Sequence, residues 1–130
     1  MDPIIFYNKY HKNRINILIH KIFVPILIIT FLALCNKKYS FYIYLFYNFT
    51  YFSYKKNVYD VKLFSYLGIL YLMSKFIRTK FTPNVLIFTH ILSWIAQFLG
   101  HFIYEKNSPA LFTSFSNSIL WAPLAIYLHQ

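Results

Sequence analysis

For its size, this sequence has very little charge. Of 130 residues, only 12% are Asp, Glu, Lys or Arg, about half the share that covers an ordinary soluble domain. A chain this short builds one domain and has a large surface to cover. The shortage therefore argues against a free soluble enzyme. The single cysteine, Cys35, rules out an internal disulfide framework and a cysteine-rich zinc module. Only two glycines, Gly68 and Gly100, are present, and no glycine-rich phosphate loop can be drawn from them. The three acids, Asp2, Asp60 and Glu105, stand far apart. That excludes a carboxylate pair for acid–base chemistry and the carboxylate set of a bridged di-iron centre.

What the chain does have is apolar and aromatic. Hydrophobic residues make up 58% and aromatics 23%, which excludes intrinsic disorder and points to an integral membrane protein. Thirteen Lys and Arg give a formal net charge of +10. These bases fall in short clusters between apolar runs: Lys9 to Arg14, Lys37-Lys38, Lys55-Lys56 and Lys75 to Lys80. Such spacing suits lipid headgroups better than a continuous groove for phosphates, and no nucleic-acid-binding module is visible. Clusters flank almost every apolar run, so no loop asymmetry reveals the orientation.

No repeat or low-complexity linker divides the sequence, and one domain over residues 1–130 is expected. A hydrocarbon core needs about 20 apolar residues per helix. Ile15–Cys35 meets that length, and its polar, aromatic approach and Leu34-Cys35-Asn36 ending do not read as a cleaved signal. Tyr39–Tyr54 is shorter and aromatic, suiting a tilted span or an interfacial helix. Val61–Ile77 follows Asp60 as its N-cap. Thr82-Pro83 opens a helix to about Tyr104, and Ser108-Pro109 repeats that start signal for a last helix to about Leu128. The expected fold is all-α, a multi-span membrane bundle of four to five helices. Asn48-Phe49-Thr50 fits a glycosylation acceptor, but inside an aromatic run it reads as a chance match.

Polar side chains inside apolar spans are costly and mark function. At about 100° per residue, His90, Trp94, Gln97, His101 and Glu105 share a stripe about 80° wide. Gly100 beside His101 lets a neighbouring backbone approach. His90 and His101 are about 16 Å apart along a straight helix, too far to share one ion. Either the helix ends or bends between them, or two metals bind, or one histidine lies behind the other ligands. His101 and Glu105, four residues apart, are the tightest local pair. Near the N-terminus, Asn16 and His20 also share a face. His11 points away from His20 on a continuous helix, whereas a turn at Lys12-Asn13-Arg14 brings it round. Pro25 removes a helical hydrogen bond beside His20. A bland reading leaves these histidines merely hydrogen-bonded; His129 keeps that reading.

These segments carry a resemblance. Tyr7-x3-His11-x4-Asn16-x3-His20-x4-Pro25, then His90-x3-Trp94-x2-Gln97-x2-Gly100-His101-x3-Glu105-x3-Pro109-Ala110, resembles the 2-hydroxy fatty acid dioxygenase family. Its members are small multi-span proteins, in fungi associated with the endoplasmic reticulum. The chain departs from the pattern at Phe23, at Asn13-Arg14 and in the lack of an acid after Pro123. The resemblance implies an Fe2+-dependent α-oxidation. A 2-hydroxy long-chain fatty acid and O2 would give the acid one carbon shorter, CO2 and water, as in phytosphingosine breakdown. It further implies His11, His20, His90 and His101 as metal ligands or near-ligands. Asn16, Gln97 and Glu105 would orient the imidazoles, and the acyl chain would lie along apolar faces such as Val85–Ile95. The alternatives are a non-catalytic lipid-binding or structural membrane protein and a zinc-dependent membrane hydrolase.

Overall fold

The computed structural model describes residues 2–54, 60–106, 109 and 115–128. Among them every regular element is helical: α1 (Pro3–Lys9), α2 (Arg14–Leu34), α3 (Lys37–Tyr54), α4 (Val61–Lys80), α5 (Pro83–Leu99) and α6 (Phe115–Leu128). A wide π-helical turn, Gly100–Glu105, continues α5. The all-α expectation therefore holds. Asp60 caps α4 by accepting from Leu63 N–H at 2.9 Å, and Thr82 Oγ1 accepts from Val85 N–H at 3.4 Å. Helix α1 was not anticipated, yet Asp2-Pro3 carries the start signal used at Thr82-Pro83. Asp2 Oδ1 accepts from Ile4 and Ile5 N–H at 2.9 and 3.3 Å. Ser108, Lys55, Lys56 and His129 lie outside the described residues, so the proposed start at Ser108-Pro109 is not described.

Two helical segments are long and apolar enough to cross a membrane, Arg14–Leu34 and Pro83–Glu105. Helices α3 and α4 have 18 and 20 residues, but their tyrosines, lysines and serines keep them outside that pair. Of the four to five helices expected in a multi-span bundle, two described segments meet both requirements. Ile15, Leu18, Ile22, Ile91, Leu92, Ile95 and Leu99 on these two segments are exposed, as expected of side chains that face lipid.

The helices group into two compact units, Leu27–His90 and Met1–Ile26 with Ile91–Gln130. In the first, α3 packs on α4. Leu63, Leu67, Leu70 and Ser74 are buried, the i, i+4, i+7, i+11 stripe of a core-facing helix. Ser40 and Ser74 are fully buried; small side chains let helix backbones come close. Arg78 ends the α2 helix electrostatically. Its guanidinium donates to the Leu32, Ala33 and Cys35 carbonyls at 2.6, 3.0 and 3.2 Å and to Ser40 Oγ at 2.9 Å. Ser40 Oγ itself donates to Leu32 O. Terminal helix carbonyls have no partner within the helix, and one planar fork here collects three acceptors of the α2 end.

The second unit packs α1 on α6. Its interior is unusual for an apolar chain, because beside Tyr7, Val24, Trp121 and Leu124 it buries His11, Asn16, His20, Gln97 and His101. Buried polar groups are tolerated where they are hydrogen-bonded or bind an ion.

Candidate metal centre

Three segments deliver one imidazole each. Helix α1 stops at Lys9 and α2 starts at Arg14, so His11 lies in the break between them. The break is built locally: Tyr10 and His11 N–H donate to Tyr7 and Asn8 O at 3.1 and 3.2 Å. Asn13 Oδ1 then accepts from Ile15 N–H at 2.9 Å, opening α2 as an N-cap. His20 follows on the first turns of α2, and His101 comes from the π-helical turn.

The nitrogen donors of His11, His20 and His101 lie within 4.8 Å of one another. Their ring centroids are 4.4 Å apart for His11–His20, 4.7 Å for His11–His101 and 4.9 Å for His20–His101, with interplanar angles of 78°, 75° and 83°. The three rings thus stand nearly perpendicular to one another around one point. The Tyr7 ring stacks on His11 at 3.8 Å and 6°.

Backbone carbonyls select the tautomers. His11 Nδ1 is 2.7 Å from Tyr7 O, and His20 Nδ1 is 2.9 Å from Asn16 O. A carbonyl can only accept, so each Nδ1 carries the proton and donates. In the neutral ring Nε2 is then the atom with a lone pair. A backbone carbonyl behind one nitrogen and an ion before the other is the usual arrangement of a metal-bound histidine. Donor set, burial and tautomer all fit a metal ion. Three imidazoles suit iron, zinc, copper or nickel and do not choose among them.

Gly100 is where the π-helical turn meets α2. A Cβ there would collide with Asn16 Oδ1 and stand 3.4 Å from Ile19 Cδ1, so any side chain at this position would have to displace the Asn16 amide. The turn closes with Lys106 N–H donating to His101 O, Lys106 itself being left-handed at φ 55° and ψ 35°. Such wide turns recur at functional sites.

The remaining candidate residues have definite places. Glu105 Oε1 accepts from Lys12 N–H at 2.7 Å, Asn13 N–H at 2.6 Å and Asn16 Nδ2 at 3.2 Å. Gln97 Nε2 donates to Ser93 O at 3.3 Å, one turn back on α5. His90 belongs to the Leu27–His90 unit, where its Nδ1 is 2.9 Å from Thr30 Oγ1. Three of the four expected histidines therefore form the group, and the fourth stands with Thr30. Tyr7, the Lys12 and Asn13 amides and Thr30 did not emerge from the sequence as partners. Tyr7 was only a spacing mark, and backbone amides leave no trace in residue type.

Comparison with known proteins decides the family. The model of the family described as 2-hydroxy-palmitic acid dioxygenase Mpo1-like matches residues 2–129. The chain belongs to the Mpo1-like family. It is 30% identical over 146 residues to the 2-hydroxy-palmitic acid dioxygenase MPO1 of Saccharomyces cerevisiae, covering 93% of this chain and 73% of the yeast protein. No solved structure matches the chain. The family match covers all three segments that supply the imidazoles.

Proposed function

We propose that this Mpo1-like chain is an Fe2+-dependent 2-hydroxy fatty acid dioxygenase. The observation that carries this reading is the group of three buried imidazoles, drawn from three separate segments of a chain in this family. The reaction balances without a cofactor reductant: R–CH(OH)–COOH and O2 give R–COOH, CO2 and H2O, the substrate supplying all four electrons. Bound by His11, His20 and His101, iron would supply the redox chemistry that joins the α-hydroxy acid to O2.

The chain's own residues do the rest. His11, His20 and His101 are the proposed ligands. The carbonyls of Tyr7 and Asn16 keep two of their Nδ1 protons in place. Asn16, Gln97 and Glu105 are the polar side chains we assign to orienting the imidazoles. The exposed Ile91, Leu92 and Ile95 of α5 offer the apolar face along which an acyl chain can lie. His90 stays a candidate only for a role apart from the three-imidazole group. We place the protein in a membrane, specifically that of the endoplasmic reticulum, where fungal members of the family are associated. The two spanning-length segments support the membrane part of that assignment.

The test is direct. Detergent-purified chain, loaded with Fe2+ without oxygen, is given 2-hydroxypalmitate and then O2. A C15 acid with matching O2 uptake is the expected result. Stoichiometric iron with no loss of substrate overturns the reading. Zinc that survives purification, with no O2 uptake, favours a hydrolase, since the same donor set serves zinc.

A further inference from the structure

We infer that Glu105 is a positioning residue of the metal site and not one of its ligands: its carboxylate clasps the backbone just after His11 and so sets the distance between His11 and His101. The inference rests on the metal reading above. It stands on where the three donors to Glu105 Oε1 come from. Two are the consecutive amides of Lys12 and Asn13, and the third is Asn16 Nδ2. Glu105 itself ends the π-helical turn that carries His101. One oxygen therefore joins the break that holds His11 to the turn that holds His101. Glu105 is not a member of the group whose donors lie within 4.8 Å.

Chemistry explains why the clasp needs an acid. The break between α1 and α2 turns two successive N–H groups the same way, and successive amides aligned like this attract an anion. Bonds from amides to a carboxylate are shorter and stronger than neutral ones; those to Lys12 and Asn13 are 2.7 and 2.6 Å. Helix α1 orients the His11 ring through Tyr7, but it has only seven residues and isolated helices of that length are marginal. The tie to the turn that carries His101 therefore adds to the packing of α1 on α6 in placing His11. Among the three acids of the chain, Asp2 and Asp60 cap helices α1 and α4. The third joins the two halves of the site.

Two measurements test this, and they separate the clasp from the metal. Amide hydrogen exchange of the metal-free protein reads the clasp itself. Glu105→Ala is expected to lower protection at Lys12 and Asn13 by about tenfold or more, and Glu105→Gln, which keeps an acceptor oxygen, by less. Unchanged exchange in both variants overturns the clasp. Co2+ titration reads its consequence, with the visible absorption bands reporting the ligand set. Glu105→Ala should weaken Co2+ binding about 10–100-fold, the usual effect of removing a group behind the ligands, with partial recovery in Glu105→Gln and the same bands in all. Altered bands would mean that Glu105 is a ligand, and undiminished affinity that positioning is not needed; either overturns the inference. A wild-type chain that binds no Co2+ overturns the metal reading and the inference with it, while the exchange result still decides whether the clasp exists. Where Glu105→Ala does not fold, as judged by circular dichroism, Glu105→Gln carries both measurements.

Discussion

At His11 and His20 the same local device operates twice: a side-chain Nδ1 donates to the carbonyl four residues earlier. The bond costs no long-range order and fixes the tautomer before any ion arrives. His101 completes the group from the other end of the chain. Replacing His101 with Ala should therefore remove stoichiometric metal while the helical content stays near wild type, measured by metal analysis and far-ultraviolet circular dichroism. His90→Ala should retain the metal, because His90 bonds to Thr30 and the group forms without it. Metal lost equally in both variants would restore His90 as a ligand. The sequence made all four histidines candidates and showed that His90 and His101 cannot share an ion on a straight helix. It could not choose between them, because the choice depends on where the break at residues 10–13 sends His11. That is a matter of backbone direction, set by the hydrogen bonds of Asn13, His11 and Glu105.

Elements were read more completely than sites. Helices α2 to α5 begin within two residues of their expected starts, since apolar length and the Asp60 and Thr82-Pro83 signals are local properties. The π-helical turn was missed: one extra residue per turn leaves no mark in composition. Its one sequence sign is Gly100, and the element-scale prediction falls there. Gly100→Ala puts a Cβ against Asn16 Oδ1, which also displaces the amide that donates to Glu105. Overpacking of this kind costs about 1–3 kcal/mol, and a lowered melting temperature in detergent with weaker metal binding is expected. A variant that melts as wild type would show that α2 and the turn are not tightly opposed. Arg78 gives the complementary lesson. By sequence it was one member of the Lys75 to Lys80 headgroup cluster, but its partners are the α2 carbonyls. The bonds leave two nitrogens of one rigid fork, Nε and Nη2, which a single ammonium nitrogen does not reproduce, so Arg78→Lys is not conservative. It should lower the melting temperature, by a loss of about 1–3 kcal/mol for the Ala33 and Cys35 carbonyls, Leu32 O keeping Ser40 Oγ as a donor.

For the whole molecule the question is how so little charge is tolerated. Exposed Phe, Ile and Leu side chains line both spanning-length segments, and apolar surface of this kind marks contact with a membrane or a partner. Placed in lipid, the same residues are at ease, and the few buried polar groups become the expensive ones. Helix α2 has 21 residues, about 31 Å at 1.5 Å per residue, which matches a hydrocarbon core. Alkaline carbonate should accordingly leave the chain in the membrane pellet. The sharper measurement uses the single native cysteine. In a Cys35→Ser background, Lys9→Cys and Asn36→Cys flank the two ends of α2. If α2 spans, an impermeant maleimide should label them from opposite faces of sealed vesicles. Labelling of both from one face would instead lay α2 in the interface.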